Sequence, residues 1–202
     1  MSQGAIAKAD NLFDFFHASV GDAASRTRSD MSEEGLLYLA QLLVERGRSQ
    51  PEREAPDTLA ELYAAAWRGP PAERLWSWRE LADRALYVTG FFRKSLTRRA
   101  VGPRYYMEMG AAAYRRLART LGTPRGGGRG LDEIWGELGE RFEDASDLLS
   151  EVHDDLEAAE VHSDSDVLRL YESWLTTGSA RLYARLLELG VLAGRPPGEE
   201  PR

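Results

Sequence analysis

The residues closest to a metal-binding pattern are His153 and Glu157, four positions apart in an acidic segment. On a helix this spacing puts both side chains on one face. Inward-facing Glu-x-x-His pairs bind iron in helical bundles, but Ser150 and Ala159 stand three residues before His153 and His162. A histidine and a glutamate at this spacing are more commonly a solvated pair. The sequence therefore predicts no metal site and no cofactor.

Nucleophilic and acid–base chemistry are equally poorly supported. The chain has no cysteine and no Gly-x-Ser-x-Gly elbow. Ser179 precedes an apolar helical run, which is the position of an N-cap. Acid–base catalysis needs a carboxyl group whose apolar surroundings raise its pKa, and no acid of the acidic segment has such neighbours in sequence. We therefore expect a protein that is not an enzyme.

Charge is unevenly distributed along the chain, whose formal net charge is −7. Residues 93–129 carry ten arginines and lysines against one acid, Glu108. Residues 130–172 carry fifteen acids against two arginines. Oppositely charged segments that are adjacent in sequence can face each other in a helical bundle and screen one another. Alternatively, they steer the approach of a partner.

A binding surface is predicted around the break Val101-Gly102-Pro103, which must fold the two central helices back on each other. Turns often bind partners because the flanking helices hold their exposed residues rigidly. Guanidinium groups donate forked hydrogen bonds to carboxylate or phosphate, and a neighbouring ring adds apolar area. The predicted binding residues are Arg98, Arg99, Arg104, Tyr105 and Tyr106, of which Tyr106 also fits the core face of its helix. The competing interpretation is that these arginines pair internally with acids such as Glu143, Asp147 and Glu151.

These patterns favour a non-enzymatic adaptor or regulatory protein that binds another protein or forms a homodimer. A helical nucleic-acid-binding protein is the first alternative, because arginines of 93–129 can contact phosphates and tyrosines can stack on bases. The acidic pI of about 5.1 disfavours it. A helical pocket for a small apolar ligand is the second alternative, because three of the five tryptophans lie within residues 67–78.

The elements that position these residues are all helical in pattern. Apolar residues recur at spacings of three and four, and no segment alternates with a period of two. We predict an all-α bundle of about seven or eight helices, with one long helix over 131–160 and a loop over 21–31. Gly90 is expected to interrupt its helix with a kink or a short turn and to direct Phe91 and Phe92 into the core. Asp83 is expected on the polar side of that helix.

Length and composition indicate one globular domain, with 202 residues of which 43% are hydrophobic and 29% charged. We expect a flexible N-terminus over 1–9, a single helical domain over 10–192 with a mobile loop at 123–130, and a disordered tail over 193–202. No apolar run reaches the roughly 18 residues of a transmembrane helix, and the first residues do not resemble a signal peptide. The lack of cysteine fits a cytoplasmic location.

Three phrases of the sequence resemble a known family. They are LYVTGFF from Leu86, YYMEMG from Tyr105 and YESWLTTGS from Tyr171. Similar phrases occur in a family of uncharacterised all-helical proteins of proteobacteria. The resemblance extends over roughly residues 11–192 and implies a bacterial, cytoplasmic, all-α protein. It implies no activity, ligand or catalytic residue.

Overall fold

The computed structural model describes residues 12–48, 59–96, 102–121 and 130–192. Within these ranges the chain forms helices and short connections and no strand, so the predicted all-α fold is confirmed there. The helices are α1 Leu12–Thr27, α2 Glu33–Arg48, α3 Leu59–Arg68, α4 Pro71–Phe91, the single turn α5 Arg93–Leu96, α6 Pro103–Leu121, α7 Leu131–Glu140, α8 Phe142–Ala159, α9 Asp164–Thr177 and α10 Ala180–Glu188. In the described residues there are thus nine helices besides the single turn α5, more than the seven or eight predicted.

Two helix boundaries differ from the prediction for reasons of packing. Helix α1 continues to Thr27 through the predicted loop, because Ala23 and Ala24 are buried on the same face as earlier residues of the helix. The predicted helix over 131–160 is divided at Arg141, where φ is −110° and ψ is 36°. Near this break Arg115 Nη1 donates a hydrogen bond of 2.7 Å to a backbone carbonyl at the end of α7. A long-range contact therefore satisfies an acceptor at the helix end.

Helix α4 lies at the centre of the described structure and packs against α3, α6 and α8. Helix α6 also packs along α7, and α1 packs against α2 and α8. The crossing of α6 with α4 and α8 is close at Gly110. A Cβ at this position would lie 2.5 Å from Phe142 Cζ and 2.8 Å from Ala85 Cβ.

The predicted interruption does not fall at Gly90, because α4 runs through Gly90 to Phe91, and Phe92 separates it from the single turn α5. Phe91 is half-buried against the core, whereas Phe92 is 47% exposed. The helix needs glycine at position 90 for packing, since a Cβ there would lie 2.4 Å from Leu149 Cβ on α8. Gly90 thus allows α4 and α8 to approach each other.

The described helices bury two separate apolar clusters, so the single core expected for one domain is an incomplete description. The larger cluster includes Leu81, Tyr114, Trp135 and Leu149. The smaller one lies between α9 and α10 and is formed by Leu170, Leu182 and Leu186. Helix α10 also contacts α8, which connects the α9–α10 hairpin to the main bundle.

The segments predicted to be flexible at 1–9 and 193–202, and most of the loop at 123–130, lie outside the described residues. Gly130 is described and precedes α7 in an extended conformation. None of the helices in the described ranges has the length and apolar character needed to cross a membrane.

Candidate functional site

The predicted binding arginines are only partly described. Arg98 and Arg99 lie outside the described residues. Arg104 is exposed on the first turn of α6, and its Nε lies 2.8 Å from Glu108 Oε1 of the same helix. Among the described residues this local ion pair is the only polar side-chain contact of Arg104, so its predicted role in partner binding stays a prediction.

The two predicted tyrosines differ in their surroundings. Tyr105 is exposed and Tyr106 is half-buried against the main core, as its helical position indicated. Their ring centroids are 6.0 Å apart in an edge-to-face arrangement. In the described part of the predicted binding surface, Tyr105 is therefore the one exposed tyrosine, and it lies next to Arg104, which is paired with Glu108.

Several other arginines of the basic segment are engaged within the fold. Arg93 forms an ion pair with Asp147 of α8. Arg115 binds a backbone carbonyl of α7, and the Arg116 guanidinium lies 4.1 Å from the centroid of the Trp67 ring. These contacts reduce the positive charge available to a phosphate backbone. The ion pair between Arg93 and Asp147 also joins the basic segment to the acidic helix α8.

The tryptophan cluster is packed by its own members. Trp67 and Trp78 meet edge to face with ring centroids 5.6 Å apart, and Tyr63 lies at the same distance from Trp78. Arg116 covers both indole rings at 4.1 and 5.2 Å. Trp76 is exposed. The space expected to hold an apolar ligand is therefore occupied by rings and a guanidinium.

A cavity of about 670 Å³ opens where several helix junctions meet, and we call it the polar cleft. It lies between the α1–α2 connection, the α7–α8 junction, α5, α8 and the α9–α10 connection. Among the described residues, Leu148 is the only apolar one that lines it. Its charged lining consists of the arginines Arg28, Arg93 and Arg141 and the acids Asp30, Asp144, Asp147, Glu151 and Asp154. Its size is that of many ligand sites, but its lining is far more polar.

Some charges of the polar cleft are paired. Arg93 pairs with Asp147, and Arg141 Nη1 lies 4.0 Å from Asp30 Oδ2. Burial raises the pKa of Glu151, and the neighbouring acid Asp154 raises it further. Arg26 lies 3.7 Å from Glu151 and partly offsets both effects.

Two exposed charges of the polar cleft remain unpaired within the described residues. The side chains of Arg28 and Asp144 make no hydrogen bond or ion pair to another described residue. Arg28 has a φ of 54°, in the left-handed region that non-glycine residues rarely adopt. Because neither side chain has a partner among the described residues, both Arg28 and Asp144 can contact a ligand.

Asp154 also lines the cleft but is buried, with 4% of its surface exposed. His153 Nδ1 lies 3.7 Å from Asp154 Oδ1, which is too long for a hydrogen bond. Among the described residues no donor binds the Asp154 carboxylate. Buried carboxylates are normally hydrogen-bonded or paired, so Asp154 is unusual in reaching only the edge of the cleft. Sequence reasoning missed Asp154, and only its spacing from His153 and Glu157 could have indicated it.

A second buried carboxylate, Asp83, lies inside the bundle rather than on the predicted polar side of α4. It is 3% exposed. The hydroxyls of Tyr38 and Tyr114 donate hydrogen bonds of 2.7 and 2.6 Å to its Oδ1. Arg79 Nε donates one of 3.2 Å to its Oδ2. Burial raises the pKa of Asp83, and the hydrogen bonds from the two tyrosines and the charge of Arg79 oppose this shift.

Ion pairs extend this network toward the surface. Arg46 binds Glu80 through two hydrogen bonds of 3.0 and 2.9 Å, and Arg84 binds the same carboxylate at 2.9 Å. Arg79 also reaches Glu45 of α2 at 3.0 Å. The network joins α2 to α4, and Asp83 at its centre is closed to solvent. We therefore regard it as structural.

The raised pKa of Asp83 predicts a pH dependence of stability. The folded chain binds this proton more tightly than the unfolded chain, whose carboxyl has the ordinary value of 3.8. The contribution of Asp83 to the free energy of unfolding therefore falls as pH rises from 3.8 through the folded-state pKa. In urea titrations, wild type should gain stability relative to Asp83→Asn as pH falls from neutral toward 3.8. A relative loss over that range would contradict the assignment.

No protein-family model, curated protein or solved structure matches the chain. The resemblance to a proteobacterial family therefore stays a prediction. By its fold and site, the chain is an all-α bundle with an open, charged cleft at its helix junctions. Its function is inferred from the geometry of that cleft.

Proposed function

We propose that the protein is a non-enzymatic adaptor that binds a basic segment of a partner protein in the polar cleft. The observation that carries the proposal is the charge of the cleft, in which five acids outnumber three arginines. Asp144 is exposed and unpaired among the described residues, so it is available to a lysine or arginine of the partner. A negative cleft attracts a basic segment and speeds its association.

Three of the six hydroxyl groups that line the cleft, those of its threonines, support the same chemistry. Thr27, Thr176 and Thr177 each donate a hydrogen bond to a backbone carbonyl of their own helix, at 3.0, 2.8 and 2.9 Å. Because their hydrogens are engaged, these hydroxyls keep only acceptor capacity. A cleft rich in acceptors suits ammonium, guanidinium and backbone N–H groups. It offers fewer donors to a phosphate group, because Arg28 is the one lining arginine without an ion pair among the described residues.

The openness and polarity of the cleft favour a polypeptide over a small apolar molecule. Small-molecule sites are mostly apolar with a few polar groups, whereas Leu148 is the one apolar residue lining this cleft. Protein interfaces tolerate polar, wet contacts of this kind. A nucleic acid is disfavoured because Arg93, Arg115 and Arg116 are engaged within the fold.

The test is a charge reversal that leaves the described ion pairs nearly intact. Asp144→Lys combined with Asp30→Lys changes two exposed acids of the cleft, of which only Asp30 has a charged neighbour, at 4.0 Å. The matched control is Asp22→Lys with Glu172→Lys, exposed acids that do not line the cleft. Wild type and both variants serve as baits in quantitative affinity capture from the native host. Circular dichroism verifies that all three are folded.

We expect a protein with a lysine- or arginine-rich segment that wild type and the control capture equally. Capture by the cleft variant should fall by about tenfold or more, since each tenfold corresponds to about 1.4 kcal/mol. Calorimetry with the purified partner should reproduce this difference and weaken with added salt. Equal capture by the cleft variant, or recovery of nucleic acid alone, would contradict the proposal.

A further inference from the structure

We infer that His153, Asp154 and Glu157 of α8 form a binding site for a divalent first-row transition ion, such as Zn²⁺ or Mn²⁺. The inference does not require the adaptor function: Asp154 also lines the polar cleft, but His153 and Glu157 do not, and the site does not include Asp144 or Asp30. It starts from the histidine and glutamate of the sequence pattern, to which the fold adds a buried carboxylate.

The three side chains converge. One ligand atom from each of His153, Asp154 and Glu157 lies within 4.8 Å of the other two. His153 Nδ1 and Asp154 Oδ1 are 3.7 Å apart. Two ligand atoms about 2.1 Å from a tetrahedral ion are separated by about 3.4 Å, so rotamer adjustment alone brings the donors to bonding distance.

Asp154 supplies the independent evidence for a cation. Its side chain is only 6% exposed, where it borders the polar cleft, and no described residue donates a hydrogen bond to it. A buried carboxylate without a donor is costly unless a positive charge compensates it. Its Oδ1 points toward His153 Nδ1, and a metal ion between the two atoms would provide that charge.

Neighbouring helices hold the other two ligands. Ser173 Oγ on α9 donates a hydrogen bond of 2.6 Å to Glu157 Oε1. The Phe91 ring on α4 packs edge to face with the His153 ring, with centroids 5.2 Å apart. Contacts of this kind orient metal ligands and reduce the entropy lost on binding. The site is therefore built from three helices although its ligands come from one.

The donor set selects the ion. An imidazole nitrogen favours zinc and other transition ions over calcium and magnesium, which prefer all-oxygen ligands. The two carboxylates can bind either Zn²⁺ or Mn²⁺, with Zn²⁺ expected to bind more tightly, and the chain has no cysteine to favour copper(I) or an iron–sulfur cluster. Three protein ligands leave coordination positions for water, as in open metal sites.

The experiment is calorimetric titration of the chelator-treated full chain with ZnCl₂ and MnCl₂. We expect binding of one ion per chain for at least one metal. At a free metal concentration of about 100 times Kd, the melting temperature should rise by roughly 5–10 °C. His153→Gln and Asp154→Asn should each weaken binding by at least about a hundredfold. Ser173→Ala, which removes only the supporting hydrogen bond, should weaken it by about tenfold.

Two controls separate this site from adventitious binding and from unfolding. His17→Gln and His162→Gln change exposed histidines elsewhere and should leave the affinity unchanged. Asp154→Asn removes an uncompensated buried charge, so the metal-free variant should melt higher than metal-free wild type while losing the rise caused by metal. A folded variant without metal binding is thus expected, and it distinguishes loss of a ligand from loss of structure.

Crystals soaked in the metal should give an anomalous peak 2.0–2.2 Å from donor atoms of His153, Asp154 and Glu157. Wild type that binds neither ion, or binding that survives both His153→Gln and Asp154→Asn, would overturn the inference. The Asp30→Lys, Asp144→Lys variant should keep its metal binding. Failure of the metal site and failure of the adaptor function therefore give different results.

Discussion

Replacing Tyr114 by phenylalanine is expected to lower the free energy of unfolding by about 2–3 kcal/mol, because a buried charge loses a hydrogen-bond donor. Tyr114 is fully buried, and its hydroxyl lies 2.6 Å from Asp83 Oδ1. Water cannot replace the lost donor without repacking the bundle. Tyr38 and Arg79 remain and prevent complete loss of compensation.

The matched control is Tyr87→Phe, which likewise removes one tyrosine hydroxyl, here from a half-buried ring. Tyr87 stacks on Phe91, and its hydroxyl makes no hydrogen bond to another described residue. This substitution should change stability by no more than about 0.5 kcal/mol. Urea unfolding at neutral pH measures both variants, with the slope reporting whether the denatured state has changed. Equal effects of the two substitutions would show that the bond to Asp83 contributes little.

A triple variant distinguishes the net contribution of the Asp83 network to the free energy of unfolding from the loss caused by removing one of its members. Asp83→Leu with Tyr38→Phe and Tyr114→Phe removes the buried polar groups together and leaves none of these three orphaned. Replacement of a buried polar cluster by apolar groups is often neutral or stabilising, whereas removal of one member is destabilising. The triple variant should therefore be more stable than Tyr114→Phe alone.

Features that depend on nearby residues could be predicted from the sequence. Helix α6 begins at Pro103, as the break before it indicated, because proline suits the first turn of a helix. Ser179 caps α10 by accepting a hydrogen bond from the Leu182 backbone N–H. Such signals act over three or four residues and need no knowledge of the tertiary fold.

Features that depend on distant residues could not be predicted in this way. The break at Arg141 coincides with a hydrogen bond from Arg115. Asp83 lies one helical turn after Arg79 and directly before Arg84, which indicated a polar side of the helix. The structure instead places Tyr38 and Tyr114, from two other helices, against its carboxylate.

The two candidate sites also differ in how far they depend on residues that are distant in sequence. The polar cleft brings together residues 27–30, Arg141 and residues 176–179, and each of these segments by itself reads only as a turn or a cap. Two of the three ligands of the proposed metal site could be recognised in the sequence, because the spacing of His153 and Glu157 puts them on one helix face. Its third member, Asp154, is distinguished from the other acids of α8 by burial without a donor, which only packing reveals.

Gly90→Ala is expected to lower the free energy of unfolding by about 1–3 kcal/mol, although alanine is the better helix former. The new Cβ would lie 2.4 Å from Leu149 Cβ. A Cβ atom cannot rotate away, so α4 and α8 must separate along a buried contact. Adding Leu149→Ala should not rescue the variant, because alanine keeps the Cβ that causes the overlap.

Gly21→Ala is the matched control, since Gly21 is also helical and a Cβ there would meet nothing within 4 Å. This substitution should raise the free energy of unfolding by about 0.5–1 kcal/mol, the usual gain of alanine over glycine in a helix. Thermal and urea unfolding of the two variants should therefore shift in opposite directions. A shift of Gly90→Ala in the same direction as Gly21→Ala would mean that α4 and α8 do not approach each other as closely as described. The interpretation of Gly90 as a packing residue rather than a helix breaker would then be wrong.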